Sequence, residues 1–381
     1  MGECYIEIDM KYNDVIYQIF PRNYSVKGTF KDIENDLERI KELGTTIVYL
    51  MPIHIIGVKN RKGTYGSPYA IKDYYSISPD LGDLSDFSSL INKTHDLRMK
   101  LILDMVFNHT SPDNVLLNDH EDYYFHRNGK LSNRVGDWSD IVDLDIKKEE
   151  TQRYLIDVLK YWINLGVDGF RFDVASMIPL SFFKRARKEL GNEVIFVGES
   201  IDYEFADYLK SINDPSTPDD EMYPTFDSLY NYNFLHELHK YIKGEGPLNI
   251  IIERINDDGL NMRLLSLENH DVERITFILS IDKLEKWLNF FAFIKGQVFI
   301  YAGQEYGISH LPELFEKDPV DWSNLDMDIY KVYKSYIDRK INQKEITYQH
   351  IDIIGENRVR VSIRYNDNSE NKREFELPKN N

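Results

Sequence analysis

The order of apolar segments along the 381 residues predicts an α/β protein built as a (β/α)8 TIM barrel. Short apolar runs alternate about eight times with longer segments whose apolar residues recur at helical spacing. Strands that alternate with helices form parallel sheets, and eight such units close into a barrel. In addition, charged residues follow several of the predicted strands, where a barrel of this kind carries its functional groups.

The first two predicted strands and the helix between them have the clearest pattern. Residues 15–20 and 45–51 are apolar runs, and a proline ends each of them. Residues 30–43 repeat apolar side chains every three or four positions, and Gly44 follows them, which indicates the end of a helix. This order of strand, helix and strand begins the barrel.

The third unit contains an irregular segment. Its apolar spacing predicts a helix over 84–98 and a strand over 101–107. Residues 108–146 then have no sustained period and are rich in Asn, Asp, Ser and aromatic residues. A loop of this length inside a barrel predicts a small subdomain. The amphipathic helix predicted over 149–165 resumes the barrel pattern.

The remaining units follow the same alternation as far as residue 341. Strands are predicted over 168–173, 194–199, 225–230, 264–268 and 297–301, and helices over 179–190, 204–211, 234–257, 282–295 and 326–341. The strand over 225–230 has the weakest pattern of the eight. We therefore predict one catalytic barrel over residues 1–344, with the 108–146 subdomain inside it.

The last residues have a different period. Residues 358–364 alternate between polar and apolar side chains, and 351–354 and 373–377 do so weakly. A period of two is typical of strands with one buried face. Residues 345–381 are therefore predicted to form a short C-terminal antiparallel β appendage.

The composition favours a neutral ligand. Lys and Arg number 46 against 64 Asp and Glu, which gives a net charge of −18. Such a balance argues against nucleic acid and anionic membrane surfaces as partners. The 13% aromatic content suits a protein that stacks on sugar rings, although most of these residues belong to a core. The oligomeric state is left open.

The N-terminal residues and the single cysteine predict a cytoplasmic location. Cys4 has no partner for an internal disulfide, so nothing indicates an oxidising compartment. The first ten residues lack the basic and apolar regions of a signal peptide. No apolar run approaches the 18 residues of a membrane span.

Polar clusters stand at the ends of four predicted strands. They are Asp104 with Asn108 and His109, Arg171 with Asp173, Glu199, and Asn269 with His270 and Asp271. Several strand-end carboxylates on different strands of one barrel should meet at a common mouth.

Paired carboxylates at such a mouth suit glycoside hydrolysis, in which one attacks the anomeric carbon and a protonated acid serves the leaving oxygen. Arg171 and Asp173 lie two residues apart in a predicted strand and therefore point to the same face. A neighbouring guanidinium should hold Asp173 ionised as the nucleophile. Glu199 ends an apolar run, which should raise its pKa and keep it protonated as the acid. For Asp104, pairing with Arg171 or backbone is favoured over direct catalysis.

Together these stretches resemble the four signature regions of the α-amylase superfamily, glycoside hydrolase family 13. The matching stretches are 104–109 (DMVFNH), 169–173 (GFRFD), 196–199 (FVGE) and 268–271 (ENHD), with further similarity at 44–52, 143–145 and 296–307. The similarity extends over residues 13 to 340, and the order and strand placement of the motifs make it specific.

The resemblance implies roles for seven residues. Asp173 would be the nucleophile and Glu199 the acid and base, and Asp271 would be the third carboxylate, which grips sugar hydroxyls. His109 and His270 would bind the same sugar, Tyr69 would stack under it, and Arg171 would orient Asp173. No cofactor would be required. Asn108 and Asp143 match positions that hold a structural Ca²⁺ in many amylases. However, Ser176 and Met177 depart from the pattern of calcium-dependent members, so an obligatory metal is not expected.

The implied activity is retaining hydrolysis of α-1,4-glucosidic bonds in maltooligosaccharides or starch-derived glucans. The short 108–146 segment favours substrates of maltodextrin size. A 4-α-glucanotransferase or an oligo-α-glucosidase would use the same three carboxylates, and the motifs do not separate these activities. A non-catalytic carbohydrate-binding or partner protein is disfavoured, because all three carboxylates are present.

Overall fold

Eight parallel strands form a barrel in the computed structural model, which describes residues 12–135, 138–230 and 232–380. In chain order, β1 to β8 are Val15–Ile19, Ile47–Leu50, Lys100–Met105, Gly169–Phe172, Ile195–Gly198, Ser228–Leu229, Leu264–Leu265 and Gln297–Tyr301. Strands β1 to β6 pair with one another in chain order, and β8 lies between β1 and β7. A parallel bridge between Leu229 and Arg263 connects the two ends. The predicted (β/α)8 barrel is confirmed.

The strands separate an inner core from an outer one. In β1, Ile16 belongs to the cluster inside the barrel, whereas Val15, Tyr17 and Ile19 pack in the larger cluster that includes the helices. This alternation follows from the period of two in a strand. Because both faces are buried, the strands are apolar runs rather than polar and apolar alternations.

Helices surround the barrel on its outer side. The longer ones, α1 to α9 in chain order, are Phe30–Leu43, Leu84–Asp96, Glu149–Asn164, Leu180–Leu190, Tyr203–Ser211, Tyr232–Ile242, Leu248–Asp257, Ile281–Phe291 and Met327–Ile341. Gly44 ends α1 with a φ of 114°, as the C-cap prediction requires. The helical material predicted over 234–257 is confirmed, but it is divided into two helices. The segment forms α6 and α7, since Gly244, Gly246 and Pro247 interrupt it.

Shorter elements occupy the loops at the carboxyl end of the barrel. They include a hairpin (His54–Ile56 with Ile71–Ile77), two two-residue pairings (His109–Thr110 with Val142–Asp143, His126–Arg127 with Lys130–Leu131) and short helices at Pro21–Tyr24, Val115–Asn118, Glu121–Tyr123, Ala175–Met177, Asp219–Met222, Ile275–Ile278 and Gln304–Tyr306. The hairpin after β2 was not predicted from the sequence. The described part of 108–146 is irregular, as predicted.

The C-terminal residues form a three-stranded antiparallel sheet. Its strands, β9 to β11, are Ile346–Gly355, Arg358–Tyr365 and Glu370–Glu376. Phe375 packs against Phe290 of α8 at 5.7 Å between ring centroids, so the apolar face of the sheet joins the barrel core. The division into domains at residues 344 and 345 stays a prediction. Cys4 and the N-terminal segment lie outside the described residues.

No helix within the described part of the chain is long and apolar enough to cross a membrane.

Candidate active site

The register of the central strands places the predicted catalytic residues at one level. Arg171 of β4 lies opposite Asp104 of β3, and Phe172 lies opposite Gly198 of β5. Asp173 and Glu199 are the next residues of their strands. Because neighbouring parallel strands end together, the two carboxylates project from the same rim of the barrel.

A single buried guanidinium holds three carboxylates at this rim. Arg171, which is fully buried, donates from Nη1 to Oδ1 of Asp104 at 2.8 Å and to Oδ1 of Asp173 at 3.0 Å. Its Nη2 lies 2.5 Å from Oε1 of Glu199. Tyr49 donates to Oδ2 of Asp104 at 2.6 Å. Asp104 therefore pairs with Arg171, as predicted, and Arg171 joins the two candidate catalytic carboxylates directly.

The charge of this cluster favours retention of a proton. Burial, and then the charge of Glu199, raise the pKa of Asp173, and Arg171 only opposes this rise. Burial also raises the pKa of Glu199, with Asp271 adding to the rise and Arg171 opposing it. Arg171 does lower the pKa of Asp173, as predicted, but burial and Glu199 outweigh it. One cation among several close carboxylates therefore favours one retained proton within the pair of Asp173 and Glu199.

The residue after Asp173 has an unusual backbone. Val174 has φ 37° and ψ 45°, in the left-handed region that a β-branched side chain rarely occupies. Its N–H donates to Oε2 of Glu199 at 2.6 Å. The strained turn after β4 therefore directs a backbone donor at the candidate acid. No pattern in the sequence indicated this conformation.

His270 connects the third carboxylate to Tyr69. Gln18 donates from Nε2 to Nδ1 of His270 at 2.9 Å, so Nε2 of the neutral ring carries the proton. That nitrogen lies 2.6 Å from the hydroxyl of Tyr69 and 3.3 Å from Oδ2 of Asp271. Burial lowers the pKa of His270, which favours the neutral ring. The rings of Tyr69 and His270 are stacked at 5.6 Å between centroids.

His109 lies on another wall of the same site. It is 5% exposed, and burial lowers its pKa to about 4, so the ring is neutral. Its Nδ1 lies 3.2 Å from Nδ2 of Asn108, and its ring centroid lies 5.7 Å from that of Trp138. A neutral imidazole in this position can exchange hydrogen bonds with a polar ligand without adding charge.

These groups surround one cavity of about 380 Å³. Six of the seven predicted site residues line it, and Arg171 lies behind them. The lining consists of Tyr69, His109, Asp173, Glu199, His270 and Asp271 together with Lys62, Ser67, Trp138, Asp140, Ile141, Val174, Leu314 and Phe315. The structure thus brings together the residues that the sequence analysis selected from five separate segments.

Several lining and supporting residues were not predicted. Lys62 forms an ion pair with Asp140 at 2.8 Å, and both residues belong to the cavity wall. Tyr232 donates to Asp271 at 2.7 Å from the first turn of α6. Only the position of Tyr232 shortly after the weak sixth strand could have indicated it.

The described residues around Asn108 and Asp143 already include a cation, Arg134. Oδ2 of Asp143 accepts from the backbone and the guanidinium of Arg134, at 2.8 and 3.2 Å. Nδ2 of Asn108 lies 3.2 Å from Nδ1 of His109. Within the described ranges, no three acidic, histidine or cysteine side chains are arranged to hold a metal. Arg134 therefore supplies one positive charge at Asp143, whose Oδ1 is buried without a hydrogen-bond partner among the described residues.

Comparison with known proteins identifies the family. The family described as alpha amylase, catalytic domain, matches residues 18–371. A solved alpha-amylase from Lactobacillus plantarum is 37% identical, with a TM-score of 0.88 over 93% of this chain and 86% of its own. A maltogenic alpha-amylase from Thermotoga neapolitana is 32% identical, with a TM-score of 0.79 over 92% and 85%. Alpha-amylase 3 of Dictyoglomus thermophilum is 27% identical over 85% of this chain and 70% of its own. The chain therefore belongs to the alpha-amylase family of glycoside hydrolases.

Proposed function

We propose that this glycoside hydrolase cleaves α-1,4 bonds of maltooligosaccharides with retention of anomeric configuration, and that Asp173 and Glu199 carry the reaction. One observation supports the assignment above all. Both carboxylates lie within 3.0 Å of the same buried guanidinium and border the same cavity. Retaining hydrolysis needs such a pair, with one carboxylate as the nucleophile and the other, protonated, as the acid.

In the first step, Asp173 attacks the anomeric carbon while Glu199 gives its proton to the glycosidic oxygen. The bond from carbon to the leaving oxygen breaks, and an ester between the sugar and Asp173 forms. In the second step, the Glu199 carboxylate takes a proton from water, whose oxygen attacks the same carbon. The ester breaks, so Asp173 is a free carboxylate again and Glu199 is again protonated. Two inversions give net retention.

The rest of the cavity wall would bind the sugar in the reacting position. Asp271, whose side chain is 42% exposed, is available to accept hydrogen bonds from sugar hydroxyls. His109 would contribute a further polar contact, and the ring of Tyr69 would provide an apolar surface for the sugar. His270 already has a protein partner on each ring nitrogen, so its main effect would be to hold Tyr69 and Asp271.

The size of the cavity supports substrates of a few glucose units. Its volume of about 380 Å³ and the ion pair between Lys62 and Asp140 on its wall leave a small reacting site. No cofactor has a role in either step. The proposed partner is an α-glucan or maltooligosaccharide. The cytoplasmic location stays a prediction, because the N-terminal residues that suggested it lie outside the described residues.

Hydrolysis of maltoheptaose, followed by NMR for the anomeric form and by chromatography for product size, tests this proposal. We expect α-anomeric products from the wild type and none from Asp173→Asn. Products of the β form would contradict the assignment of Asp173 as a nucleophile. Products longer than the substrate would instead favour the glucanotransferase. Absence of turnover on this and related α-glucans by folded protein would refute the proposed substrate class.

A further inference from the structure

A closed ring of three hydrogen bonds begins and ends on Asp271. The backbone N–H of Asp271 donates to Oδ1 of Asn269 at 2.8 Å. Nδ2 of Asn269 donates to the hydroxyl oxygen of Tyr232 at 2.9 Å, and the hydroxyl of Tyr232 donates to Oδ2 of Asp271 at 2.7 Å. The ring joins the segment after β7 to the first turn of α6.

The directions of these bonds are determined by chemistry. A backbone N–H can only donate, so the side-chain oxygen of Asn269 must face it and the amide nitrogen must face Tyr232. An amide NH₂ can only donate, so the phenol oxygen accepts there. The single proton of the phenol is then left for the carboxylate of Asp271. None of the three groups can reverse without breaking a bond.

Burial of the ring makes it persistent. Asn269 is fully buried and Tyr232 is 8% exposed, whereas the Asp271 side chain is 42% exposed at the cavity. An exposed carboxylate would otherwise change its χ angles freely. Burial, and then Asp271 and Glu199, raise the pKa of Tyr232 well above its usual value, so the phenol stays a donor at any working pH.

We propose that Tyr232 is a positioning residue, which, with Asn269, fixes the orientation in which Asp271 meets the substrate. This inference rests on the proposed function, in which Asp271 grips sugar hydroxyls. Tyr232 holds Oδ2, which also lies 3.3 Å from Nε2 of His270, so the carboxylate has one orientation and we assign Oδ1 to the substrate. Tyr232 does not contact the reacting atoms and acts only through Asp271.

The test is a double-mutant cycle with Tyr232→Phe and Asp271→Ala, measured on an aryl α-maltooligoside whose good leaving group keeps residual activity measurable. We expect Tyr232→Phe to lower kcat/KM by roughly 10- to 100-fold, since small misplacements of binding groups cost this much. In the Asp271→Ala background, the same change should cost less than about twofold, because coupled residues are not additive. Asn269→Ala should lower kcat/KM in the same direction and should not add to Tyr232→Phe.

Tyr241→Phe is the matched control. Its buried hydroxyl donates to the carbonyl of Leu377 at 2.8 Å, away from the cavity, so it loses one buried hydrogen bond without touching Asp271. We expect it to keep wild-type kcat/KM, and thermal melting should show that Tyr232→Phe and Tyr241→Phe are both folded. Two results would overturn the inference and leave the proposed function standing. One is an equal loss of kcat/KM from Tyr232→Phe with Asp271 present and with Asp271→Ala. The other is an active wild type whose kcat/KM does not change in Tyr232→Phe. An inactive wild type would refute the proposed function and this inference with it.

Discussion

Two fully buried arginines, Arg171 and Arg274, differ in how many carboxylates they hold. Arg274 donates to Oε1 of Glu268 at 2.6 Å, and the N–H of Ile275 donates to the other oxygen at 2.6 Å. The other two nitrogens of Arg274, Nε and Nη2, donate to the carbonyls of His310 and Ala302. One cation therefore faces one carboxylate, and the pair is satisfied within the barrel.

Arg171 instead faces Asp104, Asp173 and Glu199, which gives one positive charge against three negative ones if all are ionised. Burial raises the pKa of Glu268 as well, so burial does not distinguish the clusters. The differences are the surplus of carboxylates and the access of two of them, Asp173 and Glu199, to the cavity. A surplus of carboxylates costs stability. When a ligand can reach these carboxylates, the surplus indicates a catalytic role rather than structural support.

The largest effect should follow from removing Asp173. We expect Asp173→Asn to lower kcat by roughly 10⁴-fold or more, as the loss of a nucleophile does. The melting temperature should not fall, because one of three repelling carboxylates is gone. Steady-state kinetics and thermal melting measure the two effects. A large loss of stability in this variant would show that the Arg171 cluster is structural, like that of Arg274.

Removal of Arg274 should lower stability and have little effect on kcat, the opposite of the result expected for Asp173→Asn. Arg274→Met leaves Glu268 buried without its cation, and breaking such a pair costs about 3–5 kcal/mol. We expect the free energy of unfolding, measured with urea, to fall by about that amount. The kcat of the folded fraction should change far less than in Asp173→Asn. Unchanged stability would contradict the structural role of this pair.

The pH profile of kcat/KM should depend on the surplus charge. Activity should fall at high pH as Glu199 loses its proton, and at low pH as Asp173 gains one. The charge of Asp104 raises the pKa values of both residues, and Asp104 also forms an ion pair with Arg171. Asp104→Asn should therefore lower both pKa values and move the basic limb to lower pH. A basic limb that stays in place would show that Asp104 does not contribute to proton retention.

The pair of Arg134 and Asp143 should give the smallest effect. Since Arg134 supplies the positive charge at Asp143, chelation should not remove a stabilising ion. An ion that binds only the folded state would raise the melting temperature as its concentration rises. Because we expect no such binding, melting temperatures in EDTA and in excess Ca²⁺ should agree within about 1 °C. A clear rise with Ca²⁺ would contradict the assignment, and Arg134→Met would then show whether the ion binds at Asp143.

Strand ends could be predicted from the sequence because barrel strands are apolar and end at polar residues. Glu199 was located in this way, and β8 was predicted with its observed bounds of Gln297–Tyr301. Tyr232 was not found, because β6 has only two residues and its weak pattern did little to locate the side chains after it. The upward shift of the pKa of Asp173 was also not predicted, since the sequence showed its neighbour Arg171 but not the close approach of Glu199.

The most direct test of the central claim is to trap the glycosyl-enzyme. A fluorinated maltosyl fluoride, which forms the ester faster than water cleaves it, should label the protein with one maltosyl group. Mass spectrometry of proteolytic peptides should place the label on Asp173, and Asp173→Asn should remain unlabelled. A label on another carboxylate, or turnover of the reagent with no covalent intermediate on Asp173, would contradict the account.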